Sequence, residues 1–113
     1  MARNKSQRNN NPVNLRYMVQ KESAGADSDG FARFPAPESG WRAAHRQIKL
    51  DQKRNLTLQQ FIFKFAPPNE NDSDNYLEFV AKELRMSKAT PISELSVFAL
   101  AGVMARIEGY YNE

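Results

Sequence analysis

The chain has 113 residues, enough for one hydrophobic core, and its 41% hydrophobic and 26% charged residues are typical of a globular rather than a disordered protein. It has no cysteine and one histidine, which excludes disulfides and cysteine nucleophiles and argues against a histidine-rich metal site. The net charge of +3 comes from Arg3, Lys5 and Arg8, and beyond Arg8 the acidic and basic residues balance.

The first ten residues are polar and basic, which predicts a disordered tail, residues 1–10, before a single domain, residues 11–113. Such a tail could bind an anionic partner, although a solvated arm is the simpler interpretation. Residues 1–11 lack the apolar stretch of a signal peptide, and no apolar run is long enough for a bilayer. We therefore expect neither a secretion signal nor a membrane span.

Apolar and polar residues alternate between Val13 and Val19, which predicts a strand with one buried face. Residues 21–30 offer nothing to bury, and they lead into a short aromatic run at residues 31–34. We interpret the two segments as a β-hairpin with a long loop.

Helical spacing and helix-boundary residues predict four helices after the hairpin. They begin at Pro37, at Thr57, at Ser73 or Asp72, and at Ser93, and they end near Lys53, Pro67, Met86 and Gly109. The predicted fold class is α+β, mainly α, with a small N-terminal β-hairpin followed by four helices.

Glu108 is the strongest candidate for catalysis because it closes the last helix close to its apolar face. Partial burial and the negative end of the helix dipole would both favour the protonated carboxyl. A carboxyl that keeps its proton can act as a general acid on a glycosidic oxygen. The alternative is a solvated glutamate near a frayed terminus.

Two further groups are weaker candidates. The polar loop at residues 67–72 offers Glu70 and Asn71 for hydrogen bonds to sugars, and Tyr76 follows with a ring that could anchor in the core. Turn chemistry and helix capping explain most of this loop. A basic stripe on the first helix could contact phosphates of nucleic acid or acidic wall polymers, but an ordinary charged surface explains it as well; it comprises Arg42, Arg46, Lys49 and Lys53.

The order of several motifs is informative as a set. They are Asn-Pro-Val-Asn-Leu-Arg-Tyr at 11–17, Gly-Phe-Ala-Arg-Phe at 30–34, Pro-Glu-Ser-Gly-Trp-Arg-Ala at 37–43, Ala-Pro-Pro-Asn-Glu-Asn-Asp at 66–72 and Ala-Arg-Ile-Glu-Gly at 105–109. Over residues 11–109 the chain resembles a family of small tailed-phage and prophage virion structural proteins. That family is similar to the lytic transglycosylase and glucosaminidase branch of the lysozyme superfamily.

The resemblance implies a lysozyme-like domain, circularly permuted because the helix-terminal glutamate comes last. It implies that Glu108 is the catalytic acid and that the substrate groove is formed by Asn14, Arg16, Phe31, Glu70, Asn71 and Tyr76. A lytic transglycosylase can work with one glutamate, and no cofactor or metal is implied. One position departs from the family pattern, since Val13 stands where glycine usually follows Asn-Pro.

Three hypotheses follow. The first is a virion-associated enzyme that cleaves peptidoglycan during phage entry, as a lytic transglycosylase or muramidase, made in the host cytoplasm and carried in the phage particle. The second is a non-catalytic virion component whose partners are other virion proteins. The third, which we favour least, is a nucleic-acid-associated protein that uses the basic stripe.

Overall fold

The computed structural model describes residues 3–113, and over this part of the chain it is all helical. The five α-helices are α1 (Lys5–Arg8), α2 (Pro37–Gln52), α3 (Leu58–Phe65), α4 (Ser73–Leu84) and α5 (Val97–Ile107), and a 3-10 helix covers Ile92–Glu94. None of the helices among these residues has the length and apolar character needed to cross a bilayer.

The chain folds as two compact units. The first unit consists of the described residues up to Gln47 together with Met104–Glu113, and the second unit is Ile48–Val103. Met1 and Ala2, which the sequence analysis included in the tail, lie outside the described residues.

The predicted β-hairpin is wrong, and with it the α+β class and the lysozyme-like architecture. Within residues 3–113 no strand forms; an isolated bridge joins the two segments at Arg16 and Phe31, and Ala32 forms a second one with Ala26 of the intervening loop. Asn14 and Val19 have φ angles of +54° and +56°, left-handed values that interrupt an extended strand. The alternating segment therefore consists of a turn, an isolated bridge and a bend rather than a strand.

The side chain of Asn11 forms hydrogen bonds with the backbone of both segments. This side chain is buried, its Nδ2 donates to the carbonyls of Leu15 (3.0 Å) and Ala32 (2.9 Å), and its Oδ1 accepts from the Leu15 N–H at 2.9 Å. One buried amide thus satisfies backbone groups that a sheet would have paired. Val13 and Leu15 are buried beside it, which explains the apolar half of the alternation.

Helix α1 lies in the segment that the sequence analysis assigned to a disordered tail. Asn4 caps it, accepting from the Gln7 N–H at 3.2 Å, while the Gln7 side chain accepts from the Asn4 N–H at 3.0 Å. Such a capping box stabilises a helix by satisfying two backbone donors. Four helical residues are too few to be stable alone, so α1 depends on its contacts with the C-terminal residues described below.

In the first unit α2 begins at Pro37, as predicted, and packs closely against the N-terminal segment. A Cβ on Gly40 would lie 1.9 Å from the Asn10 carbonyl oxygen and 2.9 Å from Cδ of Pro12. Only glycine permits this approach of the helix to another backbone segment.

The second unit confirms the local predictions. Thr57 and Gln60 form the expected capping box, α3 ends before Pro67, and Asp72 caps α4 by accepting from the Asn75 N–H. α3 packs against α4. One boundary differs, because Ser93 lies in the 3-10 helix and α5 starts only at Val97.

Candidate carboxylate site

Glu108 directly follows the last residue of α5, as the sequence predicted, and it is half-buried. Gly109 ends the helix with a φ of +83°. The Gly109 N–H donates to the Arg106 carbonyl at 3.2 Å and the Tyr110 N–H to the Ala105 carbonyl at 3.0 Å, the hydrogen bonds of a Schellman motif. The Glu108 carboxyl is therefore placed at the negative end of the α5 dipole.

Asn14 contacts this carboxyl directly. Its Nδ2 donates to Oε1 of Glu108 at 2.9 Å. Asn14 sits on a turn closed by its own N–H, which donates to the Asn11 carbonyl at 3.0 Å, and its φ of +54° is one that asparagine tolerates better than most residues. The predicted acid and one predicted groove residue are thus brought together.

The other end of the Asn14 amide is unusual, because its Oδ1 is buried and accepts no hydrogen bond from the described residues. A buried acceptor without a donor costs free energy of about 1–3 kcal/mol. Reversing the amide would point this oxygen at the carboxyl of Glu108, which is unfavourable when that carboxyl is ionised. In the folded protein the amide N–H points at Glu108 although the amide oxygen has no donor.

The backbone around Glu108 is held by α1, which the sequence analysis did not identify. Ser6 Oγ donates to the Glu108 carbonyl at 3.3 Å, Asn4 Nδ2 to the Gly109 carbonyl at 2.7 Å, and Gln7 Nε2 to the Tyr110 carbonyl at 3.1 Å. The Asn-x-x-Gln pattern of the capping box was the signal that could have revealed this helix.

Arg16 and Phe31, two further residues predicted to line the groove, contact each other. The Arg16 guanidinium carbon lies 4.3 Å from the centre of the Phe31 ring, and Lys5 Nζ lies 3.9 Å from the same centre. Both are cation–π contacts. The ring of Phe31 is thus covered by positive charge rather than presented as an open stacking surface.

Glu70, Asn71 and Tyr76 belong to the second unit. Glu70 and Asn71 are exposed in a turn whose backbone N–H groups both donate to the Pro67 carbonyl at 3.0 Å. The Tyr76 ring is buried, as predicted, with its centre 6.5 Å from that of Phe65. Their role in substrate binding stays a prediction.

Two of the four residues of the basic stripe, Arg42 and Arg46, share one acidic partner, Glu22. Glu22 accepts from Arg42 Nε at 2.9 Å and Nη2 at 2.6 Å, and Arg46 Nη1 lies 3.6 Å from the same carboxylate. The hydrogen bond from Arg42 is the main reason why the pKa of Glu22 lies below its ordinary value. Lys49 and Lys53 are exposed. A phosphate would have to compete with Glu22 for the two arginines.

No metal centre was predicted, and residues 3–113 hold no group of three or more His, Cys, Asp or Glu residues arranged to bind a metal ion.

No protein-family model matches the chain. It is 28% identical, over 116 aligned positions, to Protein P5 of Pseudoalteromonas phage PM2, and the alignment covers 93% of this chain and 71% of Protein P5. The chain is similar to a phage protein. The similarity to Protein P5 extends over both units, because it covers nearly the whole chain.

Proposed function

We propose that this chain is a structural protein of a phage particle and that it cleaves the glycan strands of peptidoglycan with Glu108 as its acid. The similarity to Protein P5 of phage PM2 supports the role in a phage. The hydrogen bond between Asn14 and Glu108 supports the catalytic role, because a side chain from a distant segment orients a half-buried carboxyl.

Opposing effects act on the charge of Glu108. The C-terminal end of α5 and partial burial disfavour the negative charge, whereas the hydrogen bond donated by Asn14 favours it. Asn14 donates to Oε1 and so sets the plane of the carboxyl group. An acid held in one orientation can protonate a bound leaving group without first being ordered, which is where positioning contributes to rate.

One carboxyl is enough for the reaction proposed. Glu108 donates its proton to the glycosidic oxygen as the bond from that oxygen to C1 of the sugar breaks. The resulting carboxylate then removes the proton of the C6 hydroxyl of the same sugar, whose oxygen bonds to C1 and closes a 1,6-anhydro ring. The proton balance closes, and Glu108 is protonated again at the end.

Digestion of purified peptidoglycan by the full chain tests the proposal, with soluble products identified by mass. We expect 1,6-anhydro muropeptides from the wild type and from Glu94→Gln, a control at an exposed carboxylate of the second unit. Glu108→Gln should release none. Equal release by Glu108→Gln, or no release by a folded wild type, would contradict the catalytic proposal.

A non-catalytic role in the particle is the second candidate, and one surface feature favours it. Met18 and Val19 of the first unit are 76% and 78% exposed, beside a partly exposed Tyr17. Exposed apolar groups of this kind are typical of protein contacts. If Met18→Glu is excluded from assembled particles while Glu108→Gln is incorporated normally, assembly depends on this surface and not on the carboxyl. The nucleic-acid hypothesis is not pursued because Arg42 and Arg46 bind Glu22.

A further inference from the structure

The first unit presents consecutive apolar side chains to solvent at residues 17–19, which we call the apolar tip. Met18 and Val19 are each more than three-quarters exposed, and Tyr17 is partly exposed. Val13 and Leu15, a few residues earlier, are buried in the core. Burial of apolar surface is the main gain in folding, so the side chains of the tip contribute little to the stability of this chain alone.

The backbone of the tip is nevertheless held in one conformation by the side chain of Gln20. Its Oε1 accepts from the Met18 N–H at 2.9 Å, and its Nε2 donates to the Arg16 carbonyl at 2.6 Å. Val19 keeps a left-handed φ of +56°, which is unfavourable for a β-branched residue. Backbone strain of this kind clusters at binding and switch regions. The tip is thus ordered at a cost in free energy.

These hydrogen bonds also satisfy backbone groups that water would otherwise have to solvate. The Tyr17 N–H donates to the Gly30 carbonyl at 2.9 Å, and Gln20 bonds the Met18 N–H and the Arg16 carbonyl. A backbone group that is paired within the protein can leave water at a smaller cost than an unpaired one. The tip is therefore suited to entering a less polar medium with its apolar side chains in front.

Positive charge surrounds the base of the tip. Arg16 and Lys21 flank it along the chain, and both are exposed. Arg46 Nη2 donates to the Lys21 carbonyl at 3.1 Å, which brings the basic stripe of α2 next to the tip. Lys5 and Arg16 both lie over the ring of Phe31. With Arg42, which binds Glu22, five cations are gathered around this end of the first unit.

Acidic residues offset only part of this charge. Glu22 pairs with two arginines of the basic stripe, and Asp29 lies 3.7 Å from Lys5. The charge of Lys5 also acts on Asp27, which is hydrogen-bonded within the loop. Three carboxylates thus stand against five cations, and the remaining positive charge favours an anionic partner.

We propose that the apolar tip docks the protein on the surface of an anionic lipid bilayer, with Met18 and Val19 inserted among the lipids and Arg16 and Lys21 at the headgroup phosphates. Apolar side chains backed by basic ones are the arrangement by which proteins bind a membrane interface. A stable protein interface buries about 800 Å² on each partner, more than three side chains supply, whereas fluid lipids adapt to a small protrusion. This inference goes beyond the proposed function, because docking requires neither Glu108 nor peptidoglycan.

Sedimentation of the full chain with lipid vesicles tests the proposal. One set of vesicles contains phosphatidylcholine and phosphatidylglycerol in equal parts, and the other contains phosphatidylcholine alone. We expect the wild type to sediment with the anionic vesicles only, and we expect the bound fraction to fall as salt is added, because salt screens the attraction. Lys21→Gln should weaken binding by about 5-fold, the contribution of one lysine near an anionic surface.

A second substitution separates the tip from a general loss of structure. Val19→Asn removes an apolar side chain and relieves the strain at a φ of +56°, so this variant should fold at least as well as the wild type. It should bind the anionic vesicles about 10-fold more weakly. Phe98→Gln is the matched control, because it removes a ring that is 68% exposed in the second unit, and it should leave binding unchanged.

Three results would overturn the proposal: no binding of the folded wild type to anionic vesicles, equal binding to both kinds of vesicle, or the same affinity in Val19→Asn as in Phe98→Gln. If the wild type binds neither vesicle while Met18→Glu is excluded from assembled particles, the tip contacts a protein instead of lipid. The vesicles contain no peptidoglycan, so these outcomes are independent of whether the catalytic proposal holds.

Discussion

The side-chain amide of Asn14 donates to the carboxyl of Glu108 at 2.9 Å, although the two residues are 94 positions apart. A turn with a left-handed φ holds Asn14, and a Schellman motif holds Glu108. The contact joins the Asn-Pro segment to the end of α5. The proposal that Glu108 is a positioned acid rests on this contact.

Asn14→Gly should reduce release of 1,6-anhydro muropeptides by about 10–100-fold, because a misplaced catalytic group costs rate of that order. Glycine keeps the φ of +54° without strain, so the change removes the amide and leaves the backbone. Asn55→Gly is the matched control, since Asn55 has a φ of +57° and is exposed in the second unit. Full activity in both variants would show that Asn14 does not position the acid.

Substituting alanine for Gly40 and for Gly102 should change the free energy of unfolding in opposite directions. Gly40→Ala would place Cβ 1.9 Å from a backbone oxygen, and we expect a loss of about 2–4 kcal/mol in the free energy of unfolding. Gly102 lies inside α5 with nothing within 4 Å of an added Cβ, so Gly102→Ala should gain about 0.5–1 kcal/mol. Urea denaturation measures both. Equal stability of the two variants would contradict the close packing of α2.

Val19 is strained, because a β-branched residue with a φ of +56° is unfavourable. Val19→Asn should raise the free energy of unfolding by about 1 kcal/mol, since asparagine tolerates this backbone better. Met18→Asn is the control, because Met18 is equally exposed but is not among the residues with positive φ. A gain of the same size in both variants would assign the effect to lost apolar exposure instead.

The lowered pKa of Asp27 predicts that the protein loses stability in acid. Burial tends to raise the pKa of its carboxyl, but hydrogen bonds from the Phe31 N–H, Asn9 Nδ2 and the Asp29 N–H outweigh it, so the pKa lies below the ordinary value of 3.8. The stabilisation is complete above the unfolded-state pKa and is lost as pH falls through the lowered folded-state pKa.

Urea denaturation between about pH 6 and pH 2 measures this effect. The stability advantage of the wild type over Asp27→Asn should be constant above about pH 4 and shrink below it, because the substituted amide has no carboxylate to protonate. Glu94→Gln, at an exposed carboxylate, is the comparison. An advantage that grows on acidification would reverse the sign and contradict the hydrogen-bonding argument.

Local features were predicted well because they depend on neighbours in sequence. Thr57 and Gln60 cap α3, Pro67 prevents its continuation, and Gly109 ends the last helix. The predicted hairpin was wrong because the shape of that segment depends on contacts between residues that are not neighbours in sequence. The alternation from Val13 to Val19 suggested a strand, but left-handed angles at Asn14 and Val19 and the buried amide of Asn11 shape the segment instead.

The sequence by itself determined both ends of α3, the cap of α4 and the position of Glu108 at a helix end, because caps, prolines and glycines act within a few residues. Only the tertiary structure decided that Asn14 reaches Glu108 and that α1 holds the backbone after α5. These contacts join segments far apart along the chain. Their geometry depends on how the whole first unit packs, which local propensity does not encode.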